Sequence, residues 1–284
     1  VELGEKLFFE PKLSLDESIS CATCHIPSHA FADTMPFSIG VEGRLGKRNT
    51  HSSMNMASRS IFFYDGRAAT LEEQAIFPIE DHLEMSIPVD DVVERLNKNK
   101  EYTALFSDVF NSEVTKENLT LAIAEYERSL ETSNTHFDKY MSDEVEFNES
   151  EKRGHQLFLS QKSKCFDCHF GPDFTGDEFR NIGLYDEVKY KDKGRFDVTN
   201  NSEDLGKFKV PGLRNIAVTG PYMHDGSFKT LREVLEYYNN PYAVVEHPIN
   251  MDSVMLEPLN LTEQELLDLE AFLMTLTDEQ FLEI

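Results

Sequence analysis

The chain has 284 residues, 40% of them apolar, enough for two domains that each bury a core and too apolar for a disordered chain. Its formal net charge of −25 excludes nucleic acid as a partner, since phosphates would be repelled; it fits solubility and, equally, the steering of a cationic protein partner. No apolar run approaches the roughly 18 residues a membrane helix needs, no signal peptide is found, and Val1 fits the start of a trimmed mature chain.

In chain order, GEKLFFEPKLS (4–14) leads into SCATCHIPSHAFAD (20–33), which holds Cys21, Cys24 and, directly after, His25. Thr70 and Glu73 read as a capping box that opens a helix. Leu119, Ala122, Ile123, Tyr126 and Leu130 form an apolar stripe at helical spacing, best explained as core packing. KYMSDEVEFNESE (139–151) is acidic and aperiodic and reads as a linker. GHQLFLSQKSK (154–164) then precedes Cys165, Cys168 and His169, the same arrangement as the first motif. Pro- and Gly-rich loops at 170–176 and 211–226 suit segments folded over a flat group, and capping boxes recur at Thr230–Glu233 and Thr262–Glu265.

Three chemistries use Cys-x-x-Cys. A structural zinc site needs four nitrogen or sulfur ligands in a tetrahedron. A thioredoxin-like redox pair needs a βαβ setting, which is not found. With His directly after the second Cys, the motif reads as c-type haem attachment: two thiols bond the two vinyl groups, and the imidazole reaches the iron. Two covalently bound haem c groups are therefore expected, one on Cys21, Cys24 and His25, the other on Cys165, Cys168 and His169. No thiol remains for a disulfide, and attachment of this kind places a bacterial chain in the periplasm.

The two motifs sit in an internal repeat. An offset of 160 residues aligns the stretch from Leu45 with that from Leu205, so that Asn55/Asn215, Asp65/Asp225, Gly66/Gly226, Thr70/Thr230, Leu71/Leu231 and Glu73/Glu233 coincide. The expected fold is all-α, two tandem cytochrome c-like haem domains, residues 1–142 and 143–284. In register, Tyr238 faces Pro78, Val234 faces Gln74 and Val244 faces Glu84. A phenolate can ligate haem iron and a proline cannot. The second iron is then expected to be held by His169 and Tyr238, with Tyr237, Met251 and Met255 as the competing residues. The first keeps an open side near Gln74 and Glu84, an arrangement suited to peroxide, whose O–O bond breaks when a carboxyl moves a proton between its oxygens. Against this, most acids and helical amides are ordinary surface groups.

At these residues the chain strongly resembles the bacterial dihaem cytochrome c peroxidase/MauG family. LFFEPKLSLDESISCATCH, FYDGRAATLEEQA, PIEDHLEM and GPYMHDGSFKTLREVLEYYN carry the resemblance, which spans nearly the whole length. It implies two cytochrome c-like helical domains with a peroxidatic N-terminal haem lined by Gln74 and Glu84 and an electron-transfer C-terminal haem. It also implies one calcium ion, ligated by Asn49 and by the carbonyls of Thr219 and Pro221, oxygen donors of the kind calcium takes. Hydrogen peroxide is the implied substrate, a cytochrome c or cupredoxin the implied electron donor, and a homodimer a frequent assembly. Three departures stand out. The loop FSIGVEGRLGKRN lacks the displaceable histidine many of these peroxidases carry, although His51 lies just beyond it. Tyr238 replaces the usual methionine, as in the MauG branch. Tyr64 replaces the tryptophan between the haems, in a chain without tryptophan. A MauG-type enzyme that oxidises a partner protein, and a plain dihaem electron carrier, are the alternative readings.

Overall fold

A computed structural model describes residues 1–282. It divides into two compact units: Val1–Phe62 with Ala68–Glu131, and Phe63–Arg67 with Thr132–Ile284. The first unit carries α1 (Glu2–Phe8), α2 (Cys21–Cys24), α3 (Leu71–Glu80), α4 (Val89–Asn97), α5 (Lys100–Phe110) and α6 (Lys116–Arg128). The second carries α7 (His136–Met141), α8 (Glu149–Phe158), α9 (Phe196–Thr199), α10 (Leu231–Asn239) and α11 (Glu263–Met274). A small sheet pairs β1 (Phe179–Arg180) with β2 (Phe208–Lys209), antiparallel, Phe179 opposite Lys209. Among the described residues no helix is long and apolar enough to cross a membrane.

Each unit is organised on one close helix crossing. In the first, α1 packs on α6 at Gly4, where an added Cβ would lie 1.9 Å from the Ala122 carbonyl oxygen and 2.9 Å from the Tyr126 Cβ. In the second, α8 packs on α11 at Gly154, where a Cβ would lie 1.9 Å from the Asp268 carbonyl oxygen and 2.9 Å from the Phe272 Cβ. Only hydrogen fits between backbones this near. Aromatic side chains then close over the crossing: Phe8 meets Tyr126 edge-on at 5.2 Å, and Phe158 meets Phe272 at 5.2 Å. An ion pair between exposed Arg153 and buried Asp268 braces the second crossing. The Arg153 guanidinium donates to both oxygens of Asp268 (2.7 and 2.8 Å) and, with Ser150 and Gln264, holds that carboxyl down to about 2.

The expected helix starts are present, with one variation. Thr230 and Thr262 close full capping boxes with Glu233 and Glu265. Thr70 caps α3 by accepting from the Glu73 N–H, but the Glu73 carboxylate bonds the Ala69 N–H at 2.9 Å instead of closing the box on Thr70. Of the apolar stripe, Leu119, Ala122, Ile123 and Tyr126 lie buried on α6, while Leu130 follows the helix end.

The stretch 139–151, aperiodic and acidic, is an ordered connection. It runs from the last turn of α7 into the first turn of α8, pinned by Phe147, which is buried and stacked on Tyr140 at 3.9 Å. The compact units part after Glu131, before residue 142, because 132–135 is tied into the second unit. The Thr132 hydroxyl accepts from Asn215 (2.7 Å), and the Asp278 carboxylate takes the N–H groups of Ser133 and Asn134 (both 3.2 Å).

The Gly154 crossing gives a direct test. Gly154→Ala should destabilise the protein by about 1–3 kcal/mol or more, as overpacked cores do. Thermal unfolding of the holoprotein should show the lower midpoint, whereas an unchanged midpoint would mean the two backbones separate freely.

Candidate haem sites

Both attachment motifs fold as single tight turns. The His25 N–H bonds the Cys21 carbonyl at 2.9 Å, and the His169 N–H bonds the Cys165 carbonyl at 2.9 Å. Each turn therefore puts two thiols and an imidazole on one side of the chain. The imidazoles are then aimed alike. His25 Nδ1 donates to the Phe31 carbonyl (3.0 Å), with Ser53 Oγ at 3.0 Å from the same nitrogen; His169 Nδ1 donates to the Phe174 carbonyl (2.9 Å). Both phenylalanines are in the left-handed region, at φ 56°. That backbone is strained for a bulky residue and is held there by packing, since both side chains are buried. The strain turns each carbonyl onto its imidazole and fixes the proton on Nδ1, leaving the Nε2 lone pair free. This is the tautomer a metal ligand needs. Desolvation lowers both imidazole pKa values and keeps the rings neutral.

In the second unit these groups line a cavity of about 1390 Å³ including its open mouth. Cys165, Cys168 and His169 form one part of its wall; Tyr238 and Met255 also border it, and Leu235, Leu269 and Leu273 are among its apolar lining. A slot with apolar walls, two thiols and an oriented imidazole fits a covalently bound porphyrin. Burial pushes the Cys165 thiol up to about 11 and raises that of Cys168. Tyr238 and Tyr237 go separate ways. Tyr237 is buried away from the cavity, its hydroxyl donating to the Ile182 carbonyl at 2.7 Å. Tyr238 lines the cavity, its hydroxyl pKa raised by burial and by the nearby Cys168 and Cys165. Of the two methionines, Met255 is in the wall, while Met251 sits where a Cβ on Gly183 would meet its sulfur at 2.7 Å.

Tyr64 borders the same cavity, edge-on to Phe208 at 6.4 Å, and Phe208 stacks on His224 at 3.8 Å.

In the first unit, Cys21 and Cys24 lie in α2 with His25 at its end. Burial raises the Cys21 thiol and pushes Cys24 up to about 11, and Glu84 is near enough to act on both. Glu84 is set by its backbone: its carbonyl accepts the Val41 N–H at 2.8 Å, and its N–H bonds the Asp81 carbonyl at 3.0 Å. Gln74 is half-buried on α3, one turn before Pro78, which stands inside that helix. The His51 backbone sits against the His25 imidazole, so that residue borders the His25 side. Asn49 is buried in the first unit with its amide donating to the Met35 carbonyl (3.1 Å), which leaves its side-chain oxygen available; Thr219 and Pro221 belong to the second unit.

One residue of the first site escapes the sequence pattern. Glu127 is buried on α6, and its charge acts on the Cys21 thiol.

Comparison with known proteins decides the family. The model of di-haem cytochrome c peroxidases matches residues 1–146, and that of cytochrome c matches residues 151–277. The chain belongs to the di-haem cytochrome c peroxidase family. It is 36% identical to the cytochrome c551 peroxidase of Nitrosomonas europaea, over 98% of this chain and 80% of that protein. It is 35% identical to the methylamine utilization protein MauG of Methylophilus methylotrophus, over 93% of this chain and 79% of that protein. Among solved structures, a MauG-like protein associated with microbial copper homeostasis superposes with a TM-score of 0.90 at 31% identity, covering 98% of this chain and 89% of that one. As a member of this family the chain carries two haem c groups, and its folded sites suit them.

Thioether attachment is checked by mass. Under denaturing conditions the intact chain should weigh as protein plus two haem c. The Cys165→Ser/Cys168→Ser double variant should retain one, and retention of two would detach this motif from haem binding.

Proposed function

We propose that the chain works as a dihaem c-type peroxidase, an oxidoreductase that reduces hydrogen peroxide to water with electrons from a small redox protein, a cytochrome c or a cupredoxin. The observation that carries this reading is the inequality of two sites built alike. Both units orient an imidazole by the same strained carbonyl, yet α10 brings Tyr238 to the cavity where α3 has Pro78. His169 and Tyr238, which line one cavity, would hold the second iron and suit it to storing or relaying an oxidising equivalent. His25 would hold the first iron on one side, with Glu84 and Gln74 serving the other. The first haem, when bound, supplies the iron centre at which the peroxide bond is cleaved.

The reaction consumes two electrons and two protons per peroxide and releases two waters. Gln74 would position the peroxide through its amide. Glu84 would take the proton from the near oxygen and deliver it to the far one, so that the departing oxygen leaves as water. The pinned backbone of Glu84 suits this task, because a proton shuttle works only from a fixed position. An anionic phenolate from Tyr238 would lower the potential of the second iron relative to a thioether ligand. Asn49 and the carbonyls of Thr219 and Pro221 would ligate calcium as oxygen donors. The net charge of −25 favours a cationic donor, and covalent haem attachment favours the periplasm.

Tyr238 also supports a second reading, a MauG-type enzyme that uses peroxide to oxidise residues of a partner protein. The two part on donor turnover. The purified holoprotein, mixed with peroxide and a reduced cytochrome c, should oxidise the donor steadily. A persistent oxidised spectrum with poor donor turnover would favour the MauG type, and no reaction at all would leave an electron carrier.

Glu84→Gln should slow peroxide reduction by about 100-fold or more, the usual cost of a lost acid–base group. A wild-type rate would remove Glu84 from the reaction. Tyr238→Phe should abolish the six-coordinate spectrum of the second haem while leaving both groups attached; an unaltered spectrum would pass the ligand role to Met255.

A further inference from the structure

Glu127 is a carboxylic acid in a place built for a hydrocarbon. The two units align at their helix crossings, Gly4 with Gly154 and Tyr126 with Phe272. A second pair of contacts fixes the same register: the Asn55 N–H bonds the Leu130 carbonyl at 2.7 Å, and the Asn215 N–H bonds the Leu276 carbonyl at 2.9 Å. Glu127, next after Tyr126, therefore corresponds to Leu273, next after Phe272. Leu273 lines the haem cavity of the second unit. Glu127 thus stands on the haem face of the first unit, which agrees with its action on Cys21, a thioether position and not an iron ligand.

The carboxyl is 6% exposed, and one of its oxygens is fully buried with no hydrogen-bond partner. Its neighbours offer little compensation. On its own helix, the Arg128 charge favours the carboxylate, but its guanidinium is paired with Glu72 (2.7 Å) and Glu125 (2.6 Å). On α3, Glu72 is the acid that faces it, and repels; Glu73 and Glu80 are exposed. On α1, Glu2 and Glu5 are exposed and Lys6 pairs with Glu101 at 2.8 Å. On α4, Asp90, Asp91 and Glu94 are exposed, and Arg95 is committed to the carbonyls of Lys12 (2.7 Å) and Ser14 (2.6 Å). A carboxylate buried with an unsatisfied oxygen is costly, and burial outweighs the Arg128 charge in favour of the protonated form. Burial pushes it up to about 8.

We propose that Glu127 is the redox-linked proton site of the first haem: it takes up one proton as that iron takes up one electron, and releases it on oxidation. The electrostatics set the direction. A ferric centre carries one more positive charge than a ferrous one, so it favours the carboxylate and reduction favours the acid. Electron and proton then arrive together, the electron from the small redox protein or a chemical reductant, the proton from solvent, and the net charge of the buried site is unchanged. The inference deepens the peroxidase reading by adding a proton store where protons are consumed, but it requires only that the first haem be bound.

Equilibrium spectroelectrochemistry of the holoprotein tests it without peroxide or donor, so it can fail while the peroxidase stands, and the reverse. In the wild type, the potential of the first haem should fall with rising pH through the neutral range. The limiting slope is a tenfold change in the reduction equilibrium per pH unit, about 59 mV for one electron. Glu127→Gln and Glu127→Leu, the second copying Leu273, should both flatten that slope. Any titration of the haem propionates is common to all three proteins and drops out of the comparison. The reduced-minus-oxidised infrared spectrum should also show a protonated carboxyl band in the wild type that both variants lose. If one variant fails to bind haem, the other decides. A pH-independent wild-type potential, or variants with the wild-type slope and band, would overturn the proposal.

Discussion

Two helices pressed together at a glycine organise each half of this protein. Gly4 lets α1 meet the backbone of α6, and Gly154 lets α8 meet that of α11, at distances no other residue allows. That contact decides which turn of the last helix faces inward. It places Tyr126 and Phe272 over the crossing and sends the next residue toward the haem attachment turn. The side chain at that next position is Leu273 in one unit and Glu127 in the other. A crossing set by sterics thus fixes where a difference in chemistry is felt.

The attachment turns share a second constraint. In both, a phenylalanine in the left-handed region points its carbonyl at an imidazole Nδ1. Strain stored in the backbone and supported by a packed ring gives each histidine a single tautomer and a single aim. With that side of the two sites so alike, the proposed difference in function rests on other residues: Tyr238 against Pro78, and Glu84 with Gln74 against two valines.

Much of this was legible in the sequence because it is local. Cysteines and histidine within one turn, and threonine caps three residues ahead of a glutamate, carry their geometry in their spacing. The repeat made Tyr238 a candidate, since its aligned partner cannot ligate iron. The spacing could not choose between Tyr238 and Tyr237, which are adjacent and chemically identical. Only the way α10 packs sends Tyr237 to the Ile182 carbonyl and Tyr238 to the cavity. The acidic stretch 139–151 lies where the two family models part, yet a single stacked pair, Tyr140 on Phe147, orders it without any periodicity.

By itself the sequence determined two haem-binding helical units in tandem and nominated the attachment residues of each, because covalent motifs and caps act within a few residues. The tertiary structure alone decided where the compact units part, which tyrosine meets the cavity, and that Glu127 is a buried acid beside Cys21. Burial and charge environment are sums over neighbours distant in the chain. Glu127 reads as one more surface acid until α1, α3 and α6 close around it.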